Sequence, residues 1–260
     1  MPRGVGIILY GQSGVGKTSF ALQFSKPLKC ITLKPEAGYV DLDDIGKVPE
    51  GCVNIDAESY QEVKICLSRA TEKTLVIDSL HGLQNSIFQY SIEKDYEGDA
   101  EEFYSYFKGP RTQAPKYAEE LCTVFENLRT QGKNVILIAH STQEKVKNPR
   151  GVDYDTIDLD ADKGIRDVFK RWAQSILYLC VDSNVERYTK FIGNKNQKKP
   201  IEAKMKDEDY RMIFTGQSLV HSAKNKLNLP PYISAGDSEE EAYANFLAAL
   251  PQNFKEMLSK

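Results

Sequence analysis

Residues 11–18 read Gly-Gln-Ser-Gly-Val-Gly-Lys-Thr, the spacing G-x-x-x-x-G-K-[ST], directly behind the apolar run Val5–Tyr10. Each residue type has a task on a polyphosphate. Gly11, Gly14 and Gly16 let the backbone curl so that its N–H groups turn inward on an anion. Lys17 sets a cation against the β- and γ-phosphates, and the Thr18 hydroxyl is placed to ligate Mg²⁺. Gln12, Ser13, Val15 and Ser19 complete the stretch expected to wrap the triphosphate. A helix is expected from Thr18, so its positive end faces the same anion. The competing reading is a glycine turn with an incidental lysine.

A phosphate loop needs a carboxylate on a neighbouring strand to hold the Mg²⁺ shell. Thr74-Leu-Val-Ile-Asp78-Ser79 offers one at the end of an apolar strand, about sixty residues after Lys17, with one strand and one helix expected in between. Asp78 would reach the metal through water; otherwise it caps the next helix. Hydrolysis also needs a group that orients or deprotonates the attacking water. Glu36, in Leu33-Lys34-Pro35-Glu36-Ala37-Gly38, ends the second expected strand and faces the γ-phosphate in this reading; the alternative is a solvated loop glutamate. Ile138-Ala139-His140-Ser141 ends the fourth, where His140 would sense the γ-phosphate or stand as an ordinary hydrogen-bonded histidine.

Apolar runs of strand length alternate with helical periods along the chain, the signature of βαβ units around a parallel sheet, hence an α/β fold. The expected strands are 5–10, 30–33, 74–77, 135–139 and 176–181, rich in Val, Ile and Leu as strands covered on both faces require. Ser59-x-x-Glu62 predicts a capped helix with Tyr60, Val63, Leu67 and Ala70 on one side. Tyr117, Leu121, Val124, Phe125 and Leu128 predict another, closed by Gly132. Residues 186–193 and 209–215 read as antiparallel strands appended to the sheet through a Lys-rich connection. A last helix follows Asp237-Ser238-Glu239-Glu240-Glu241 and stops at Pro251.

The chain has 260 residues, enough for one large α/β domain, and carries a net charge of −3. No global basic field marks it for nucleic acid, so such a partner must meet a local patch. The five cysteines are dispersed, with neither C-x-x-C spacing nor a histidine cluster, and are expected to be reduced thiols of a cytoplasmic protein. Met1-Pro-Arg leads straight into the first expected strand, so no signal peptide is expected, and no apolar run has membrane-spanning length.

In this order, the phosphate loop, the strand ending in Glu36, Val76-Ile-Asp-Ser79 and Leu137-Ile-Ala-His-Ser141 resemble the RecA-like ATPase core. More narrowly the chain resembles the compact RecA-like ATPases of bacteriophages, the AAA-type phage nucleotide-binding family, which includes Sak-type single-strand annealing and recombination proteins. The carriers are PEAG at 35–38, IAH at 138–140, RWAQSILYL at 171–179 and SAKNKLNLP at 222–230. The resemblance implies residues 1–233 as a RecA-like ATPase domain, a mostly parallel sheet flanked by helices with added antiparallel strands, and 234–260 as a helical extension of it. It implies ATP with Mg²⁺, bound at the edge between subunits of a ring or filament, in a host-cell cytoplasm. Lys224 and Lys226 match the position of basic groups that reach a neighbour's nucleotide, although members often carry Arg where Lys226 stands, and lysine lacks the bidentate fork. Both also read as solvated loop lysines.

Single-stranded DNA is the partner the resemblance implies, with single-strand-binding or replication proteins beside it. The later of the two loops that would face DNA, 142–162, opens with Lys145, Lys147 and Arg150 and then turns acidic from Asp153 to Asp162. The earlier insertion, 85–112, interleaves aromatics with acids; residues 93–108 hold six acids against two lysines, which repels phosphate and favours packing over base stacking. Lys190, Lys195, Lys198 and Lys199 form a further basic stretch that reads as a solvated connection. A small-molecule or nucleotide kinase and a non-hydrolysing, nucleotide-gated assembly module stay open as alternatives.

Overall fold

The computed structural model describes residues 3–149, 151–182, 185–188, 202–205 and 210–258. In chain order the first half is β1 (Gly6–Gly11), α1 (Lys17–Ala21), β2 (Leu28–Leu33), α2 (Gly38–Asp44), β3 (Cys52–Ala57), α3 (Tyr60–Ser68), β4 (Thr74–Asp78), α4 (Leu80–Asp95), α5 (Ala100–Tyr104) and α6 (Ala114–Thr130). Then come β5 (Asn134–Val146), β6 (Tyr154–Leu159), α7 (Lys163–Trp172), β7 (Ser175–Asp182), β8 (Val185–Tyr188), β9 (Glu202–Met205) and β10 (Tyr210–Phe214). The chain closes with β11 (Lys224–Asn225), β12 (Tyr232–Ser234), α8 (Glu239–Ala249) and α9 (Gln252–Leu258).

A ten-stranded sheet runs β12-β10-β7-β1-β5-β4-β2-β3, with β11 on β7 and β6 on β5. From β7 to β3 every pairing along this path is parallel; β10, β11, β12 and β6 join antiparallel. The fold is thus the mixed α/β sheet of a P-loop nucleoside triphosphatase core. β1 and β4 are buried along their whole length, because helices cover both faces. One face packs on α3, α4, α6 and α7 through Tyr60, Ile87, Leu121, Phe125 and Phe169. The other packs on α1 and α8, where Phe20, Phe24 and Phe246 meet with ring centroids 5.7–5.8 Å apart.

Local signals account for most boundaries. Ser59 Oγ accepts from Glu62 N at 3.2 Å, while the Glu62 carboxylate reaches Glu58 N at 2.7 Å, one residue short of the reciprocal capping bond. Gly132 takes φ +84° behind α6, the left-handed exit that ends a helix cheaply. Ser238 caps α8 through Glu241 N at 3.2 Å, and Pro251 stops the helix, but a further helix, α9, follows it.

Other expectations are corrected. Between α1 and β4 lie two strands and two helices, because β3 is a half-exposed edge strand whose Cys-Val-Asn-Ile-Asp-Ala alternates too weakly to announce itself. β5 does not stop at Ala139 but runs to Val146, and 142–162 forms a β-hairpin with β6 where a loop was expected. Its alternating Gln143, Glu144, Lys145 and Val146 read as polar loop only because the strand leaves the buried layer there. Of the two appended strands, only β10 joins the main sheet; β8 pairs with β9 in a separate two-stranded sheet. Arg150 and Lys190, Lys195, Lys198 and Lys199 lie outside the described residues. In 85–112, Phe88, Tyr96 and Phe103 pack inside, whereas Tyr104, Tyr106 and Phe107 are exposed. No helix among the described residues is long and apolar enough to cross a membrane.

Candidate nucleotide site

The register of the sheet assembles the site. Gly11 at the end of β1 pairs with His140 on β5, and Asp78 at the end of β4 pairs with Ile138 on β5 and Thr32 on β2. The ends of β1 and β4 and the middle of β5 therefore present the loop, the carboxylate and the histidine in one row, with Glu36 just past the end of β2. A cavity of about 380 Å³ opens over this row, lined by Gly14, Lys17, Thr18, Glu36, Asp78 and His140.

Gly16 sits at φ +92°, in the left-handed region that favours glycine, immediately before α1. Lys17 is buried, and its Nζ donates to Gly11 O at 3.1 Å and Gln12 O at 2.6 Å, which holds the ammonium across the mouth of the loop. Burial draws its pKa below the usual lysine value, while the charges of Asp78 and Glu36 pull the other way. Helix α1 begins at Lys17, one residue before the expected start, and lasts only five residues. Gly38 opens α2 where a Cβ would lie 2.8 Å from Thr18 Oγ1, so the glycine of Pro35-Glu-Ala-Gly38 lets α2 close on the loop.

Asp78 is 3 % exposed and accepts from Thr18 Oγ1 at 2.7 Å. It does not cap α4; Ser79 holds that place, without a side-chain cap bond. Burial pushes the Asp78 carboxyl up to about 6, against the lowering bond from Thr18. Two hard oxygen donors, Thr18 and Asp78, suit Mg²⁺, which takes one or two protein oxygens and completes its shell with phosphate and water. No group of three or more His, Cys, Asp or Glu among the described residues could hold a metal ion. No disulfide joins any of the five cysteines, Cys30, Cys52, Cys66, Cys122 and Cys180.

Glu36 belongs to the site and is not a solvated loop residue. Its Oε1 accepts from Ser79 Oγ at 2.6 Å and lies 3.0 Å from His140 Nε2. The His140 contact holds the Glu36 carboxyl below the usual carboxylate range, and Glu36 in turn raises the His140 imidazole. Ser79 was legible only as the last letter of an apolar run ending in Asp-Ser. Sequence reasoning missed Arg211 altogether. From β10, its Nη2 donates to Val15 O at 3.3 Å and lies 3.5 Å from Glu239 Oε1 on α8. Nothing in its spacing from the phosphate loop signals this, because the contact depends on β10 joining β7.

Lys224 and Lys226 do not reach this cavity. β11 pairs with Ile176 and Ser175 at the start of β7, the end of the sheet opposite Gly11. Lys224 Nζ donates to Lys170 O at 2.8 Å and Arg171 O at 3.0 Å, at the C-terminus of α7, and Lys226 is exposed. Lys145 and Lys147 are exposed on the β5–β6 hairpin, away from the phosphate row.

The assembled groups can bind a nucleoside triphosphate with its metal, set a cation on the β/γ bridge and hold a carboxylate where water would attack. Among curated proteins, none matches the chain. A family model described as an AAA domain matches residues 3–227, the stretch from the strand before the phosphate loop to the strand pair on β7. The chain belongs to the AAA domain family, a family of nucleotide-binding P-loop ATPases.

Proposed function

We propose that the protein is a Mg²⁺-dependent, RecA-like ATPase that acts on single-stranded DNA in bacteriophage recombination or replication, as a ring or filament of identical subunits. The observation that carries the reading is the continuity of β5. The strand that places His140 beside Glu36 continues without a break into the hairpin bearing exposed Lys145 and Lys147. A change at the γ-phosphate therefore has a continuous strand through which to reach the hairpin surface where Lys145 and Lys147 stand, with Asp155 paired opposite Lys145.

The chemistry follows from the residues. The loop amides and Lys17 would bind the triphosphate, and Thr18 and Asp78 would hold the metal's shell. Mg²⁺, when bound, neutralises charge that develops on the phosphate oxygens. Glu36 orients the attacking water and takes its proton, while Ser79 and His140 fix the carboxylate through Oε1. Buried Asp158 accepts from Lys170 Nζ at 2.9 Å and ties the root of the hairpin to α7. Lys226, on the opposite end of the sheet from its own loop, supports a neighbour-facing role in an oligomer.

The test is the rate of ATP hydrolysis with and without single-stranded DNA, with a mobility shift at two salt concentrations. The proposal expects binding that weakens with salt and hydrolysis that rises with DNA. If DNA neither binds nor changes the rate, the DNA role is wrong.

A further inference from the structure

A second cavity, of about 490 Å³, runs along α1 between the α2–β3 connection and the start of α8. Ser19 and Leu42 line both this cavity and the phosphate cavity, so the two are contiguous. Glu36, Asp78 and His140 belong to the phosphate cavity alone, which marks the γ-phosphate end and leaves Ser19 as the exit. We propose that the second cavity takes the base and ribose of the bound triphosphate, and that the segment 237–240 selects among nucleosides. The inference rests on the phosphate-site reading above and adds a selecting segment that lies beyond the stretch matched by the AAA domain model.

The lining suits a nucleoside better than a further phosphate, since Lys47 stands against the carboxylates of Asp237, Glu239 and Glu240. Leu42, Val48 and Pro49 offer an apolar wall to a planar ring, and Gln23 offers an amide that both donates and accepts. Asp237, Glu239 and Glu240 stand on the opposite wall. Carboxylates accept from ribose hydroxyls and from the amino edge of a base, and they repel a further phosphate. That wall is a built feature. Ser238 caps α8, Glu241 Oε2 accepts from Asp237 N at 3.0 Å, and Phe246 anchors the helix against Phe20 and Phe24. Arg211 links the wall to the phosphate loop, touching Glu239 on one side and Val15 O on the other.

The experiment compares Mg²⁺-tripolyphosphate with ATP, GTP, CTP and UTP by calorimetry, on the full chain and on Gln23→Trp and Asp237→Lys. Gln23 lies half-buried in the turn just after α1 and Asp237 is exposed, so a folded variant of at least one is expected, checked by its melting transition. The wild type should prefer at least one nucleotide to tripolyphosphate by about tenfold or more. Gln23→Trp should erase that margin and leave tripolyphosphate binding unchanged; Asp237→Lys should alter the ranking of the four nucleotides. Unaltered nucleotide affinities and ranking in both variants would overturn the inference, as would an equal loss of tripolyphosphate. A wild type that binds no tripolyphosphate would instead overturn the phosphate-site reading, and this inference with it.

Discussion

His140 Nε2 lies 3.0 Å from Glu36 Oε1, the same oxygen that accepts from Ser79 Oγ at 2.6 Å. Both bonds fall on one oxygen, and Oε2 carries neither. The carboxylate is thus fixed by one oxygen while the other is left for water, an arrangement in which orientation and proton transfer are separate tasks. The pair joins the loop just after β2 to the middle of β5, two strands that are not neighbours in the sheet. Its state should therefore be felt in both stability and turnover.

The pH dependence follows from the directions of the two shifts. His140 is raised, so its contribution is complete below the ordinary imidazole value and fades as pH rises through the higher folded value. Glu36 is lowered, so its contribution is complete above the ordinary carboxylate value and fades as pH falls through the lower folded value. Denaturant melts of wild type and His140→Gln should differ most at mildly acidic pH and converge at alkaline pH. The pair is partly solvated, so the difference should stay below about 1 kcal/mol.

Lys17→Ala should remove nucleotide binding. A buried ammonium facing two phosphates is worth about 3 kcal/mol, so affinity should fall about 100-fold or more by titration. Arg211→Met should cost less, about threefold to tenfold, because Arg211 acts on the loop through Val15 O and not on the phosphate.

Lys224→Met tests a structural role against a catalytic one. The ammonium caps the C-terminus of α7, a contact worth about 0.3–1 kcal/mol. Melting should shift by that amount with the rate per active site unchanged. A loss of turnover without loss of stability would place Lys224 at a neighbour's nucleotide.

Lys145→Glu with Lys147→Glu should weaken single-stranded DNA binding and lower the slope of log affinity against log salt by about 1–2, as two phosphate contacts are lost. Nucleotide affinity without DNA should not change, because both lysines are exposed on the hairpin beyond the buried part of β5.

How much of this was legible in the sequence depends on what carried each signal. The phosphate loop, Asp78 and the capped α3 and α8 were readable because each is a local pattern in which neighbours in the chain do the chemistry. Glu36 and His140 were readable as strand ends, but their contact was not, since it spans 104 positions and follows from the order in which strands pair. β3 escaped because an edge strand carries only weak apolar alternation, and the hairpin escaped because its strands leave the core. Arg211 was invisible for the same reason as the second cavity. Both arise where β10 and α8 fold back beside α1, a relation held by Phe246 and the Arg211–Glu239 pair and by no spacing in the chain.

The central claim, hydrolysis with Glu36 as the group that activates water, is tested most directly by single-turnover phosphate release from bound Mg²⁺-ATP in wild type and Glu36→Gln. The account predicts that the variant binds ATP as the wild type does and releases phosphate about 100-fold more slowly or worse. Equal release rates in the two proteins would contradict it.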